Sequence, residues 1–159
     1  MDTTINVADF MTIKGLDDAY EIPKGVPVEM GPTSCMFFLN RLSKMGQIEW
    51  IEPHIIADIR GLPIETEIIL QVFTLTENGR NYFWLPENYR FSVGGNKVRI
   101  PETPTHIQLN AATMEAEKMY IDASLLFPEA IAVSQLASGK INMKIGVKIK
   151  IQTHSEIKL

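Results

Sequence analysis

The clearest pattern in the chain is a strict alternation of apolar and polar residues close to its C-terminal end. Across residues 141–151 every second residue is apolar, and three of the residues between them are Lys144, Lys148 and Lys150. A period of two separates residues onto two faces only in a β-strand, because a helix would spread the same residues around its axis. These residues therefore predict a long strand, with one face on the core and a lysine-bearing face turned to water or to a partner.

Other segments with strand-like patterns lie earlier in the chain. Residues 48–59 and 67–75 both read as strands, and the second carries apolar side chains on both faces, which predicts a central strand covered twice. Residues 118–127 alternate and predict a further strand. A Gly95-Asn96 turn predicts a hairpin, because it lets two apolar pairs share one face: Phe91 with Ile100 and Val93 with Val98.

The strongest helical pattern covers residues 33–45. Pro32 precedes it, Thr33 or Ser34 can cap its N-terminus, and Gly46 suits its C-terminal end. An apolar stripe with helical spacing runs along this segment, formed by Cys35, Phe38, Leu39, Leu42 and Met45. Shorter helices are predicted at residues 110–117 and 129–136.

Residues 1–32 contain several prolines and glycines and are predicted to form an extended N-terminal arm, with residues 33–159 as a single β-rich domain. The arm can pack along its own domain or dock on a neighbouring subunit, and the sequence leaves both placements open. The whole pattern predicts a mainly β fold, an antiparallel β-sandwich or jelly-roll-like sheet of about seven strands with about two or three short helices. A two-layer α+β arrangement is the alternative.

Composition and charge exclude several classes of protein. The chain has 159 residues, of which 45% are apolar and 21% charged, as in a folded globular domain. Its net charge of −4 argues against direct binding of nucleic acid through phosphate neutralisation. Cys35 is the single cysteine, so no internal disulfide can form, and residues 1–10 lack the apolar core of a signal peptide. No apolar run reaches the length of a transmembrane segment. The expected location is cytoplasmic, or virion-associated for a viral protein, and not secreted.

Familiar catalytic and cofactor-binding motifs do not occur in the sequence. His54, His106 and His154 are isolated from one another in the chain, although three histidines can still converge on a metal after folding. Two carboxylate pairs can each share a face, Glu65 with Glu67 and Glu115 with Glu117, but such pairs are more often solvated charges at a sheet edge. We therefore predict a protein that is not an enzyme, with no catalytic, cofactor-binding or metal-binding residues.

Three groups of residues are candidates for an interface. The aromatic group contains residue types that often anchor interfaces, although core packing is the alternative: Tyr82, Trp84 and Tyr89. The lysine row lies on one strand face, which can instead be a purely solvated face: Lys144, Lys148 and Lys150. The acidic loop belongs to the N-terminal segment: Asp17, Asp18 and Glu21.

Charge is divided unevenly along the chain. Residues 1–80 hold six Lys and Arg against twelve Asp and Glu, whereas residues 138–159 hold five against one. An acidic end on one copy can therefore meet a basic end on the next, in a contact that repeats into rings or lattices.

We interpret the sequence as that of a non-enzymatic, self-assembling structural protein, by architectural analogy a viral matrix-like or shell component. Its copies would associate through the N-terminal arm and the complementary charged faces. An acidic protein surface or an anionic membrane surface is the other kind of partner that the lysine row suits. The alternative function is a ligand-binding β-sandwich module that holds a sugar or an apolar ligand on the aromatic group.

Overall fold

The computed structural model describes residues 2–36, 46–95, 97–109 and 111–152. In chain order its elements are β1 (Asp2–Asn6), α1 (Val7–Ile13), β2 (Glu21–Ile22), β3 (Val28–Met36), β4 (Gln47–Arg60), β5 (Glu67–Thr76), β6 (Gly79–Asn81), β7 (Tyr89–Ser92), β8 (Lys97–Ile100), α2 (Ala111–Glu115), β9 (Lys118–Leu126), β10 (Ile131–Ala132), a 3₁₀ helix (Val133–Leu136) and β11 (Lys140–Gln152).

Two larger sheets and one small sheet organise these strands. The first sheet has the order β1-β11-β4-β8, the second places β3, β9 and β5 side by side with β6 and β7 on the far edge of β5, and β2 pairs with β10. Every pairing between these strands is antiparallel. The fold is mainly β, with antiparallel sheets in a sandwich-like arrangement and few helices, which confirms the predicted fold class.

Among the described residues the core is one apolar cluster, to which both larger sheets contribute alternate residues. From the first sheet come Ile55, Ala57, Ile141 and Met143, and from the second come Leu70, Val72, Ile121 and Leu125. Burial of each large aliphatic side chain contributes about 1.5–3 kcal/mol, so the alternation in these strands is what holds the two sheets face to face.

The N-terminal residues, predicted as an extended arm, form regular elements that pack on the rest of the chain. β1 pairs with β11, Ile5 is 1% exposed, and Val7 and Met11 of α1 are buried in the chain's own core. Val7 and Met11 are four residues apart, which places both on one face of α1. This helical pattern is too short to stand out in a segment that contains many turn-forming residues. β3 then crosses residue 32, where the sequence places a boundary between arm and domain.

The helix predicted at residues 33–45 is wrong in its first turn. Residues 33–36 belong to β3 and pair with β9, after a shift in register between Met30 and Thr33. Residues 37–45 lie outside the described residues. Thr33 and Ser34, taken as helix caps, are also compatible with a strand, and the adjacent β9 supplies hydrogen bonds that a local pattern cannot reveal.

The predicted hairpin is also wrong, because its two strands belong to different sheets. β7 pairs with β5, with Phe91 opposite Ile68, whereas β8 pairs with β4, with Ile100 opposite Ile55. The glycines between β7 and β8 therefore lie in a connection from one sheet to the other, like the bends at which strands of a β-sandwich change sheets. The other predicted strands are confirmed as β4, β5, β9 and β11, and α2 and the 3₁₀ helix fall within the two shorter predicted helices.

Candidate interaction surface

The pair formed by β4 and β11 extends beyond its neighbours in the first sheet. The two strands pair along the whole length of β11, but β1 accompanies β11 only as far as Lys144, and β8 accompanies β4 only at residues 55–58. Residues 47–54 and 146–152 continue as a two-stranded extension, which we call the ribbon, with a β-bridge to Ile51 on its β4 side. Both strands of the ribbon alternate apolar and polar residues. In the pairing register each apolar residue of β11 lies opposite a residue of β4 that points to the same face, so the two side chains can pack together.

The lysine row lies on the exposed face of β11, as the alternation predicts. All three lysines are exposed, and Lys150 Nζ lies 3.6 Å from Glu49 Oε2 with both side chains about half exposed, a geometry worth at most about 1 kcal/mol. Lys144 and Lys148 form no salt bridge with any residue in the described ranges. Carboxylate residues nevertheless lie near the row, since the pairing register sets Glu52 opposite Lys148 and Asp2 opposite Lys144.

An aromatic contact that the sequence analysis did not identify lies beside the lysine row. The outer face of the ribbon sets residues of β4 against residues of β11: Trp50 opposite Lys150, Glu52 opposite Lys148 and His54 opposite Gly146. The ring of His106 stacks on Trp50, with centroids 3.7 Å apart and planes 7° from parallel, and its Nε2 lies 3.2 Å from Glu52 Oε1. Alternation along β4 was the signal that could have placed Trp50 on the same face as the lysines.

His54 rests directly over Gly146 on that face. A Cβ added to Gly146 would stand 2.6 Å from atoms of the imidazole, so any larger residue there would force the His54 ring to move. The outer face of the ribbon and the adjacent His106 thus bring lysines, imidazoles and an indole together, and the indole is a residue type enriched in protein interfaces.

The acidic loop is exposed and held in place at the other end of β11. Asp17 Oδ1 accepts a hydrogen bond of 3.0 Å from the Ala19 amide, and the carbonyl of Asp18 accepts one of 3.1 Å from the amide of Ser134. Glu21 lies in β2 beside β10 and is also exposed. Because Ser134 belongs to the 3₁₀ helix that leads into β11, the acidic loop is anchored where β11 begins, whereas the ribbon forms where β11 ends.

The aromatic group is half-buried. Trp84 and Tyr89 pack against the core, and the Trp84 Nε1–H is buried with no acceptor among the described residues. Tyr82 donates a hydrogen bond of 3.1 Å from its hydroxyl to Gln71 Oε1. Each of these three side chains is therefore partly buried and keeps part of its surface exposed.

A buried carboxyl with a perturbed pKa lies on β9 in the second sheet. Asp122 is 7% exposed, and its Oδ1 is buried with no hydrogen-bond donor in the described part of the chain. Burial, followed by the neighbouring carboxyl of Glu29, raises the pKa of Asp122 from 3.8 to about 6. Arg80, whose Nη1 lies 3.8 Å from Asp122 Oδ2, and Lys14 act in the opposite direction. A hydrogen bond with the Glu29 side chain favours the protonated form of Asp122.

The other titratable residues considered in the sequence are dispersed. Over residues 2–36, 46–95, 97–109 and 111–152 there is no cluster of three or more His, Cys, Asp or Glu that could hold a metal ion. His154 lies outside this range. Of the carboxylate pairs, Glu67 is 3.0 Å from Arg90, while Glu115 ends α2 and shares no strand with Glu117. No helix in the described part of the chain combines the length and hydrophobicity of a membrane span.

Comparison with known proteins identifies no family. No protein-family model matches the chain, and no curated protein sequence does. A chain in the structure of the infectious bursal disease virus Gx strain is similar at 6% sequence identity and a TM-score of 0.33, over 97% of this chain. This chain spans 38% of the length of that viral chain. A likeness of this degree carries no argument about function, so the proposal below is based on the surface itself.

Proposed function

We propose that this chain is a non-enzymatic structural protein whose copies associate head to tail, the lysine row of one copy contacting the acidic loop of the next. The class of assembly is a layer or shell of the viral matrix type, in the cytoplasm or a virion. The observation that carries the proposal is the location of the acidic loop at the start of β11 and of Lys148 and Lys150 near its end.

The separation of the two groups follows from the strand itself. The acidic loop is bonded to the 3₁₀ helix that immediately precedes β11, and Lys150 lies ten residues after Lys140 along that strand. At about 3.3 Å per residue the distance along the strand is roughly 30 Å. Lys148 and Lys150 are therefore too far along the strand to pair with the acidic loop of the same copy, whereas a second copy can bring them together; Lys144, at about 13 Å from Lys140, is closer to its own loop.

A contact between two different surfaces on identical copies does not stop at two copies. Each copy that uses its lysine row still presents an acidic loop, so the contact repeats into a ring when the rotation closes and into a filament or layer when it does not. Electrostatic attraction between exposed groups is weakened by salt, with a screening length of about 10 Å at 0.1 M ionic strength. Assembly through this contact is therefore expected to depend strongly on salt.

Sedimentation velocity over a salt series tests the proposal. We expect the unmodified chain to form larger species at low salt that dissociate at high salt, and the double variant Lys148→Glu, Lys150→Glu to remain monomeric in both conditions. The matched control is Lys97→Glu, Lys118→Glu, which changes charge equally at exposed lysines outside the ribbon and should assemble normally. An unmodified chain that stays monomeric at high concentration and low salt would contradict the proposal, as would binding of that monomer to anionic lipid vesicles through the lysine row.

A further inference from the structure

Among the described residues, the ribbon has an unpaired backbone edge in addition to its charged face. β1 ends with Asp2 opposite Lys144, and no residue in the described ranges pairs with the same side of β11 from Gly146 to Gln152. On its other side β11 is hydrogen-bonded to β4 throughout. Alternate residues along such an edge direct their backbone N–H and C=O groups outward, where they can pair with another strand.

The side chains along this edge fall into two sets with different chemistry. Toward solvent they are Lys148 and Lys150, and toward the core they are Val147 and Ile149. Val147 is 41% exposed although it lies on the core-facing side, whereas Ile51 on β4 is 0% exposed. Within the described part of the chain, the β4 side of the ribbon is thus covered and the β11 side is not, as in a sheet that lacks its next strand.

We propose that residues 146–152 of β11 accept an extended segment of another protein, in which carboxylate side chains alternate with apolar ones, as an added strand in line with β1. The carboxylates would lie beside Lys148 and Lys150, and the apolar side chains would cover Val147 on the other face. A second copy of β11 fits this edge less well, because it would bring another set of lysines onto the same face of the sheet.

This inference does not depend on the proposed self-association, although both use Lys148 and Lys150. Head-to-tail contact requires the acidic loop of another copy, whereas strand addition requires the backbone edge and an alternating sequence. Binding to the edge is therefore measured on dilute, monomeric chain, so that failure of one proposal does not imply failure of the other.

The test uses two short synthetic peptides of identical composition, one alternating valine with glutamate and one with the valines and glutamates in separate blocks. We expect the alternating peptide to bind and to slow amide hydrogen exchange at residues 146–152 without affecting β8. The variant Lys148→Glu, Lys150→Glu should bind it at least about tenfold more weakly, because two attractive cross-strand pairs become repulsive.

A peptide of opposite charge provides a second measurement on the same variant, which separates loss of binding from loss of folding. The same variant should recover binding with a peptide that alternates valine with lysine, which also shows that its edge remains folded. Equal binding of the alternating and block peptides, or slowed exchange that falls outside residues 146–152, would overturn the proposal.

Discussion

At the residue scale, Asp122 shows how local burial changes the chemistry of a single side chain. Its carboxyl is buried beside Glu29, and its pKa is raised to about 6 in the folded chain. A group whose folded pKa lies above its unfolded value adds stability at low pH, below the unfolded pKa of about 3.8, and this contribution is lost as the pH rises through about 6. The neutral form of Asp122 is therefore the one that suits the fold.

We expect Asp122→Asn to remove this pH dependence. In urea unfolding, the unmodified chain should lose stability on the order of 2 kcal/mol between acid and neutral pH on account of this group, while the asparagine variant should not. Glu29→Gln is the companion variant, because it removes the neighbouring charge and should lower the Asp122 pKa and reduce the effect. An Asp122→Asn variant with an unchanged pH profile would show that the titration of this carboxyl is not linked to folding.

Gly61 gives a second prediction at this scale, based on close packing of backbone. It has a φ of +70°, and a Cβ at this position would collide with the carbonyl oxygen of Ser138. Gly61→Ala should therefore destabilise the chain by about 2–3 kcal/mol in chemical denaturation, since neither backbone segment can move independently. Gly94→Ala is the control, because nothing lies within 4 Å of its added Cβ. Equal stabilities of the two variants would contradict the described turn.

At the scale of elements, the sequence predicts strands whose pattern is long and repeated. β11 and β9 could be identified because alternation over many residues allows only one face to be buried. β3 could not, because residues 33–36 carry capping residues as well as strand residues, and their pairing with β9 is decided by a distant part of the chain. The predicted hairpin is wrong for the same reason, because distant strands decide the pairing: β7 pairs with β5 and β8 pairs with β4.

The N-terminal element provides a stability test of its own. Ile5 of β1 is 1% exposed, so Ile5→Ala should cost about 2–5 kcal/mol through lost burial and the cavity that remains. Ile13, at 78% exposure, is a matched control from the same segment, and Ile13→Ala should change stability by less than about 0.5 kcal/mol. Chemical denaturation distinguishes the two, and an Ile5→Ala variant as stable as the control would mean that β1 does not belong to the chain's own core.

At the scale of the whole molecule, the candidate surface is only partly visible in the sequence. The lysine row could be predicted from alternation, because the residues share one strand face. The stacking of His106 on Trp50 could not, since these residues are distant in the chain and meet only when residue 107 bridges to β4. The location of the acidic loop at the opposite end of β11 also required the fold, because hydrogen bonds to the 3₁₀ helix determine it.

The central claim is that copies associate through unlike charged ends, and mixing two charge-reversed variants tests it most directly. One variant carries Lys148→Glu and Lys150→Glu, and the other carries Asp17→Lys and Asp18→Lys. In sedimentation velocity at low salt each variant alone should be monomeric, because both of its ends then have the same sign. An equal mixture should assemble again into larger species in which the two variants alternate, because each row then meets a loop of opposite charge on the other variant. Assembly of either variant alone, or a mixture that stays monomeric while the unmodified chain assembles, would contradict the head-to-tail account.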